Sequence, residues 1–66
     1  MKIKIDKQNG TLYFRLGENS IVESEEIQPD VIMDFDKEGV VVGVEVLDLA
    51  ARLSREDLDN LQVEFV

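Results

Sequence analysis

The stretch Val31–Asp48, VIMDFDKEGVVVGVEVLD, constrains the fold more than any other part of the chain. In Val31–Asp36, residues Val31, Met33 and Phe35 fall on one side and Ile32, Asp34 and Asp36 on the other. That alternation is the period of a half-buried strand. Val40–Leu47 is dense in β-branched residues, which suit a pleated surface. Val40, Val42, Val44 and Val46 share one side; Val41, Gly43, Glu45 and Leu47 share the other. Because both sides carry apolar residues, this strand is predicted to lie at the centre of a sheet and to need cover on both faces. Asp36, Lys37, Glu38 and Gly39 separate the two strands. Glycine takes a positive φ at no steric cost, as a tight hairpin turn requires.

The rest of the chain reads outward from this hairpin. Lys2–Asp6 alternates, with Ile3 and Ile5 facing inward, and Asn9-Gly10 is a strong turn signal. Thr11–Leu16 sets Leu12, Phe14 and Leu16 on one side and Tyr13 and Arg15 on the other, so a second hairpin opens the chain. Gly17-Glu18-Asn19-Ser20 is a further turn. Ile21–Gln28 is a weaker strand, since Glu23-Ser24-Glu25-Glu26 is polar on both sides. It is expected as an edge strand or an exposed arm, and its charges discourage edge-to-edge pairing. Pro29-Asp30 punctuates before Val31.

After Asp48 the period lengthens. Leu49 and Leu53 stand four apart with Ala50 beside them, and Leu58 and Leu61 continue the stripe, which predicts either one bent helix or two. Asp48 and Ser54 are candidate N-caps. Gln62–Val66 alternates again, with Val63 and Phe65 on one side, and reads as a short terminal strand that pairs within the chain or with a neighbour. The order predicts one α+β domain over residues 1–66: an antiparallel meander of five to six strands with a C-terminal helix packed on one face.

The 66 residues include neither Cys nor His. A chain of this length buries only about 60% of its unfolded surface, and no disulfide or thiolate site can staple it. Association with a second copy is therefore expected, a dimer first. The net charge of −8 argues against nucleic acid and anionic membranes as partners and favours a basic partner or plain solubility. An apolar content of 44% is too high for a disordered acidic chain. MKIKID lacks the apolar run of a signal peptide, and no stretch approaches a membrane span of about 18 apolar residues. A cytoplasmic location is the expectation.

Taken in order, MKIKID, Leu12-Tyr13-Phe14-Arg15-Leu16, the acidic Glu23–Pro29, VIMDFDKEG and Val42-Gly43-Val44-Glu45-Val46-Leu47-Asp48 resemble a family of small bacterial and archaeal proteins of unknown function, DUF2283. The resemblance runs from Met1 to about Leu53. Two departures stand out: Asp30, where the family often has Gly, and the longer tail Ser54–Val66. The resemblance implies a compact β-sheet with a helix and no assigned activity. Some members are encoded beside small toxin-like proteins, which implies an antitoxin-like role.

Asp34, Asp36, Glu38, Gly39 and Glu45 match the spacing of a calcium-binding EF-hand loop. The flanking periodicity is that of strands and not helices, and valines occupy intervening positions, so the spacing reads first as an acidic β-turn. Without His or Cys, the usual bases and nucleophiles of acyl transfer are missing, and Ser20, Ser24 and Ser54 each have a turn, strand or cap explanation. No enzyme activity and no cofactor are expected. Tyr13 and Arg15, of types enriched at interface hot spots, share a side with no apolar stripe. With Ile32, Val41, Leu47, Val63 and Phe65 they form the candidate interface. The function predicted is a non-enzymatic protein-interaction module that self-associates or neutralises a basic protein partner such as a small toxin. The alternative is a small-molecule or divalent-ion binding protein centred on Asp34–Glu45.

Overall fold

A computed structural model describes all 66 residues. Five strands form a single sheet: β1 (Lys2–Asp6), β2 (Thr11–Arg15), β3 (Glu23–Gln28), β4 (Val31–Phe35) and β5 (Val41–Val46). A 3₁₀ turn, Leu49–Ala51, and a short helix α1, Arg55–Asp59, follow. The molecule is thus mostly antiparallel sheet with a small helical part at its C-terminal end.

The strand order is β1-β2-β5-β4-β3, and every neighbouring pair is antiparallel. This corrects the expected meander. β2 does not pair with β3; β5 enters between β2 and β4, and β3 lies at the far edge. The reason is visible in the residues. β3 offers Glu23, Ser24, Glu25 and Glu26 with every side chain exposed, so a central place would bury charge without partners. β5 is β-branched along most of its length and loses nothing by pairing on both edges. The predicted edge position of β3 and central position of β5 both hold.

Each turn is held by the residue type it needs. Gly10 closes the β1–β2 turn at φ 66° and Gly39 the β4–β5 turn at φ 79°. Asp6 braces the first turn by accepting from the Asn9 backbone N–H at 3.0 Å and from its side-chain amide at 2.9 Å. The β3–β4 turn places Asp30 at φ 66°. The backbone there is left-handed, where Gly is free of strain and Asp is tolerated better than most residues.

The C-terminal part differs from expectation in detail. Asp48 also has a left-handed backbone, φ 49°, and makes no side-chain cap. It redirects the chain after β5, so that the Leu49 N–H donates to the Gly10 carbonyl at 2.9 Å. Ser54 does cap α1, its hydroxyl accepting from the Asp57 N–H at 3.1 Å, with Glu56 and Asp57 in the first turn favouring the positive end of the helix. There are two helical pieces and not one bent helix. The predicted strand at Gln62–Val66 is not formed; these residues have no regular structure. Alternation alone gives a segment no backbone partner, and the tail has none.

Buried apolar side chains number three: Val42, Leu49 and Leu58. Leu49 sits against Gly10, and Leu58 with Leu53 lines the hollow beside the Lys7–Gly10 turn. The helical part is therefore anchored at the turn end of the sheet. Arg52 ties it further, donating from Nη2 to the Pro29 carbonyl at 2.8 Å, as does Lys7 from Nζ to the Asp59 carbonyl at 3.1 Å.

The left-handed position at residue 30 predicts a ranked response to substitution. Asp30→Gly leaves stability unchanged or slightly raised, whereas Asp30→Val lowers it by about 1–2 kcal/mol, the cost of a β-branched residue in that region. Urea denaturation of the two variants checks the order.

Candidate functional site

Residues directly paired in the ladder project from the same side of a sheet, so the register defines two faces. One row on the first face runs Ile3, Phe14, Val44, Met33, Glu25 across the strands; the next runs Ile5, Leu12, Val46, Val31, Gln28. This is the apolar face. The opposite face carries Lys2, Arg15, Gly43, Asp34, Ser24 in one row and Lys4, Tyr13, Glu45, Ile32, Glu26 in the next.

The polar face has an organised centre. Asp34 is only 7% exposed although it lies mid-strand. Its carboxylate accepts from the Ser24 hydroxyl at 2.6 Å and, over a longer 3.4 Å, from the Tyr13 hydroxyl. Three strands are thereby linked, and Tyr13 reaches its partner across β5. It can do so because Gly43 leaves the space open: a Cβ there would stand 2.7 Å from Asp34 Oδ2 and 3.0 Å from the Tyr13 hydroxyl. A buried carboxylate without partners is costly; here both oxygens are engaged. Beside it, the register slips between Asp34 and Phe35, which brings Phe35 opposite Val41.

A second acid, Asp36, holds the β4–β5 turn. One oxygen accepts from the Glu38 and Val40 backbone N–H groups at 2.9 and 3.0 Å; the other accepts from the Asn19 amide at 3.0 Å. The Asn19 amide first, and then the Val40 N–H, hold its carboxyl below the ordinary value of 3.8, against the opposing effect of burial. Arg15 Nη2 in turn donates to the Asn19 carbonyl at 2.5 Å, so the Gly17–Ser20 loop is tied to both hairpins. The other guanidinium nitrogen, Nη1, is enclosed without an acceptor.

These contacts show what became of the calcium-like spacing. Asp34 points into the polar face, Asp36 into its own turn, and Glu45 stands opposite Tyr13 on β2 and Ile32 on β4. No three acidic side chains converge in the geometry of a metal site. The chemistry of Asp34 is that of an acceptor joining strands: Ser24 donates to it directly, with no base between them.

The seven candidate interface residues do not form one surface. Tyr13, Arg15 and Ile32 share the polar face, where Tyr13 and Arg15 are already bound within the chain. Val41 stands across from Phe35 at the register slip, and Leu47 follows β5, its N–H donating to the Asp30 carbonyl at 2.8 Å. Val63 and Phe65 lie elsewhere, beside β1, where they line a shallow apolar trough with Met1, Ile3 and Ile5. Sequence reading overlooked the Ser24–Asp34–Tyr13 group. Its signal was present: a lone glycine in a valine-rich strand, and an acid at the middle of an otherwise apolar one.

The apolar face is the other feature of note. The five residues of α1 extend about 7.5 Å, while a five-stranded sheet spreads about 19 Å from first strand to last. Neither helical piece can span it. Around its rim Ile3, Leu16 and Val63 are 37%, 43% and 49% exposed, and Phe65 is 92% exposed.

The fold and its two faces define a small, single-sheet, acidic β-domain. The chain belongs to the DUF2283 family, described only as proteins of unknown function, whose profile matches residues 2–49. That span covers all five strands and ends where the helical part begins. No curated protein and no solved structure matches the chain significantly.

Two outcomes follow from this geometry. Gly43→Ala forces a methyl group between Asp34 and Tyr13 and is expected to cost about 1–3 kcal/mol, read by urea denaturation; Tyr13→Phe, which removes only the longer hydrogen bond, costs less. Asp36, with its lowered carboxyl, contributes stability that is present above its unfolded value and lost as pH falls through its folded one. Stability should therefore decline as pH drops below about 3.8. Replacing Asp36 with Asn should flatten that part of the profile in acid titrations followed by circular dichroism.

Proposed function

We propose that the protein is a self-associating, non-enzymatic interaction module that works through the apolar face of its sheet. The observation that carries this reading is the face itself. Only three apolar side chains are buried in a chain that is 44% apolar. A sheet that is apolar on one side is stable when that side is packed against another layer, and exposed apolar patches mark interaction surfaces. The catalytic reading has less to stand on: the best-organised polar group, Ser24–Asp34–Tyr13, is spent on joining strands.

A second reading has its own observation. β3 is an unpaired edge with six exposed residues, among them Glu23, Glu25 and Glu26. In a chain of net charge −8 this edge suits a basic protein partner, such as a small toxin, better than it suits another copy of itself. Self-association and capture of a basic partner use different surfaces and are compatible. A divalent-ion role for Asp34–Glu45 is disfavoured, because Asp34 and Asp36 already have partners within the chain.

Sedimentation of the purified protein at micromolar concentrations tests the first reading. The expected mass is twice that of the 7.5 kDa chain. Met33→Lys, which places a charge in the middle of the apolar face, should return it to a folded monomer, and Glu26→Lys on the opposite face should not. A single-chain mass for the unaltered protein at every concentration would remove self-association.

A further inference from the structure

Resting on the reading of the apolar face as a contact surface, the geometry points to one arrangement: two copies stack face to face about a two-fold axis parallel to their strands, giving a sandwich of two five-stranded sheets. The first support is area. A compact monomer of 7.5 kDa exposes about 4,250 Å², and this chain exposes 5002 Å². The excess is about 750 Å² per chain, against roughly 800 Å² that each partner buries in a standard interface. The radius of gyration agrees: it is 12.9 Å, where a compact chain of this length has about 10.8 Å. The surplus surface is close to what one dimer contact removes.

The second support is the distribution of side chains. The middle of the apolar face is Phe14, Met33 and Val44 on the three inner strands, a β-sheet face of the kind that stacks at about 10 Å separation in sandwiches. The two sheet edges are less suited to a self-contact. β3 presents three glutamates and would meet its own charges across a two-fold axis, and its pairing with β4 is broken by a slip between Glu26 and Gln28 that disturbs the edge.

Charge then selects the axis. A two-fold axis running across the strands would lay β3 over β3, with Glu25 facing its own copy. A two-fold axis along the strands lays β1 of one chain over β3 of the other. Glu25, which projects from the apolar face, then lies over Ile3 at the β1 edge of the other chain and away from its own copy. Ile3, Val63 and Phe65 extend the contact at that edge, which gives the unpaired tail a place to bury its apolar side chains.

Isotope-filtered nuclear Overhauser measurements on a mixture of labelled and unlabelled protein test the arrangement without altering the chain. The expected intermolecular contacts join the Met33 and Val44 methyls to Phe14 of the other copy, and Ile3 or Ile5 of one copy to β3 of the other. Intermolecular contacts confined to β1 or β3 backbone protons would show edge-to-edge pairing and overturn the stack, while leaving the protein self-associating. Contacts of Ile3 with Ile3 would overturn the choice of axis alone. A protein that sediments as one chain and gives no intermolecular contact would overturn both the stack and the interaction reading beneath it.

Discussion

The structure depends on β5 pairing along both of its edges. Its partners, β2 and β4, come from hairpins that are separate in sequence, so β5 is the only element that joins them into one sheet. Two conditions make this possible. The strand is apolar and β-branched enough to take an interior position, and at Gly43 it has no side chain. That gap lets Tyr13 reach over the central strand towards Asp34, which Ser24 also holds, so that side chains reinforce on the polar face the order set by the backbone ladder. A buried carboxylate specifies register as well as contributing energy: a slip of one residue would turn Asp34 onto the apolar face.

The same architecture explains why the chain has little core of its own. One sheet and a helical part of eight residues make a single layer with an anchored end. Leu49 and Leu58 are enclosed where that end meets the β1–β2 turn, and Val42 is enclosed within the sheet near Gly17. The remaining apolar residues of the first face support each other only sideways. Burial contributes about 25 cal/mol per Å², so covering this face is the largest reserve of stabilisation the chain has left. In the proposed reading, function and stability draw on the same surface, as in many small domains that reach full stability only on association.

Family membership fits this division of labour. The DUF2283 profile covers the sheet and stops at residue 49, and the sheet contains the turn acids, the Gly43 gap and the apolar face. The segment beyond it supplies the end anchor and the exposed tail. At Asp30, within the matched span, the backbone is left-handed, which Gly would meet freely and Asp meets at a modest cost.

What was legible in the sequence was local. Alternation at Lys2–Asp6, Thr11–Leu16 and Val31–Asp36 and the β-branched run Val40–Leu47, with glycine turns at Gly10 and Gly39, determined both hairpins, because strand periodicity and turn conformation are set within a few residues. The two-sided apolar character of β5 and the acidity of β3 also determined which strand is inner and which is at the edge. The tertiary structure alone decided the rest. It placed β5 between β2 and β4, denied Gln62–Val66 a strand partner, and turned Asp48 from a helix cap into a left-handed bend. It also brought Ser24, Asp34 and Tyr13 together over Gly43, residues up to 21 positions apart for a single hydrogen bond. The physical reason is that each of these outcomes depends on which distant segment lies alongside. That is a competition among pairings for the whole chain, and no window of adjacent residues records its result.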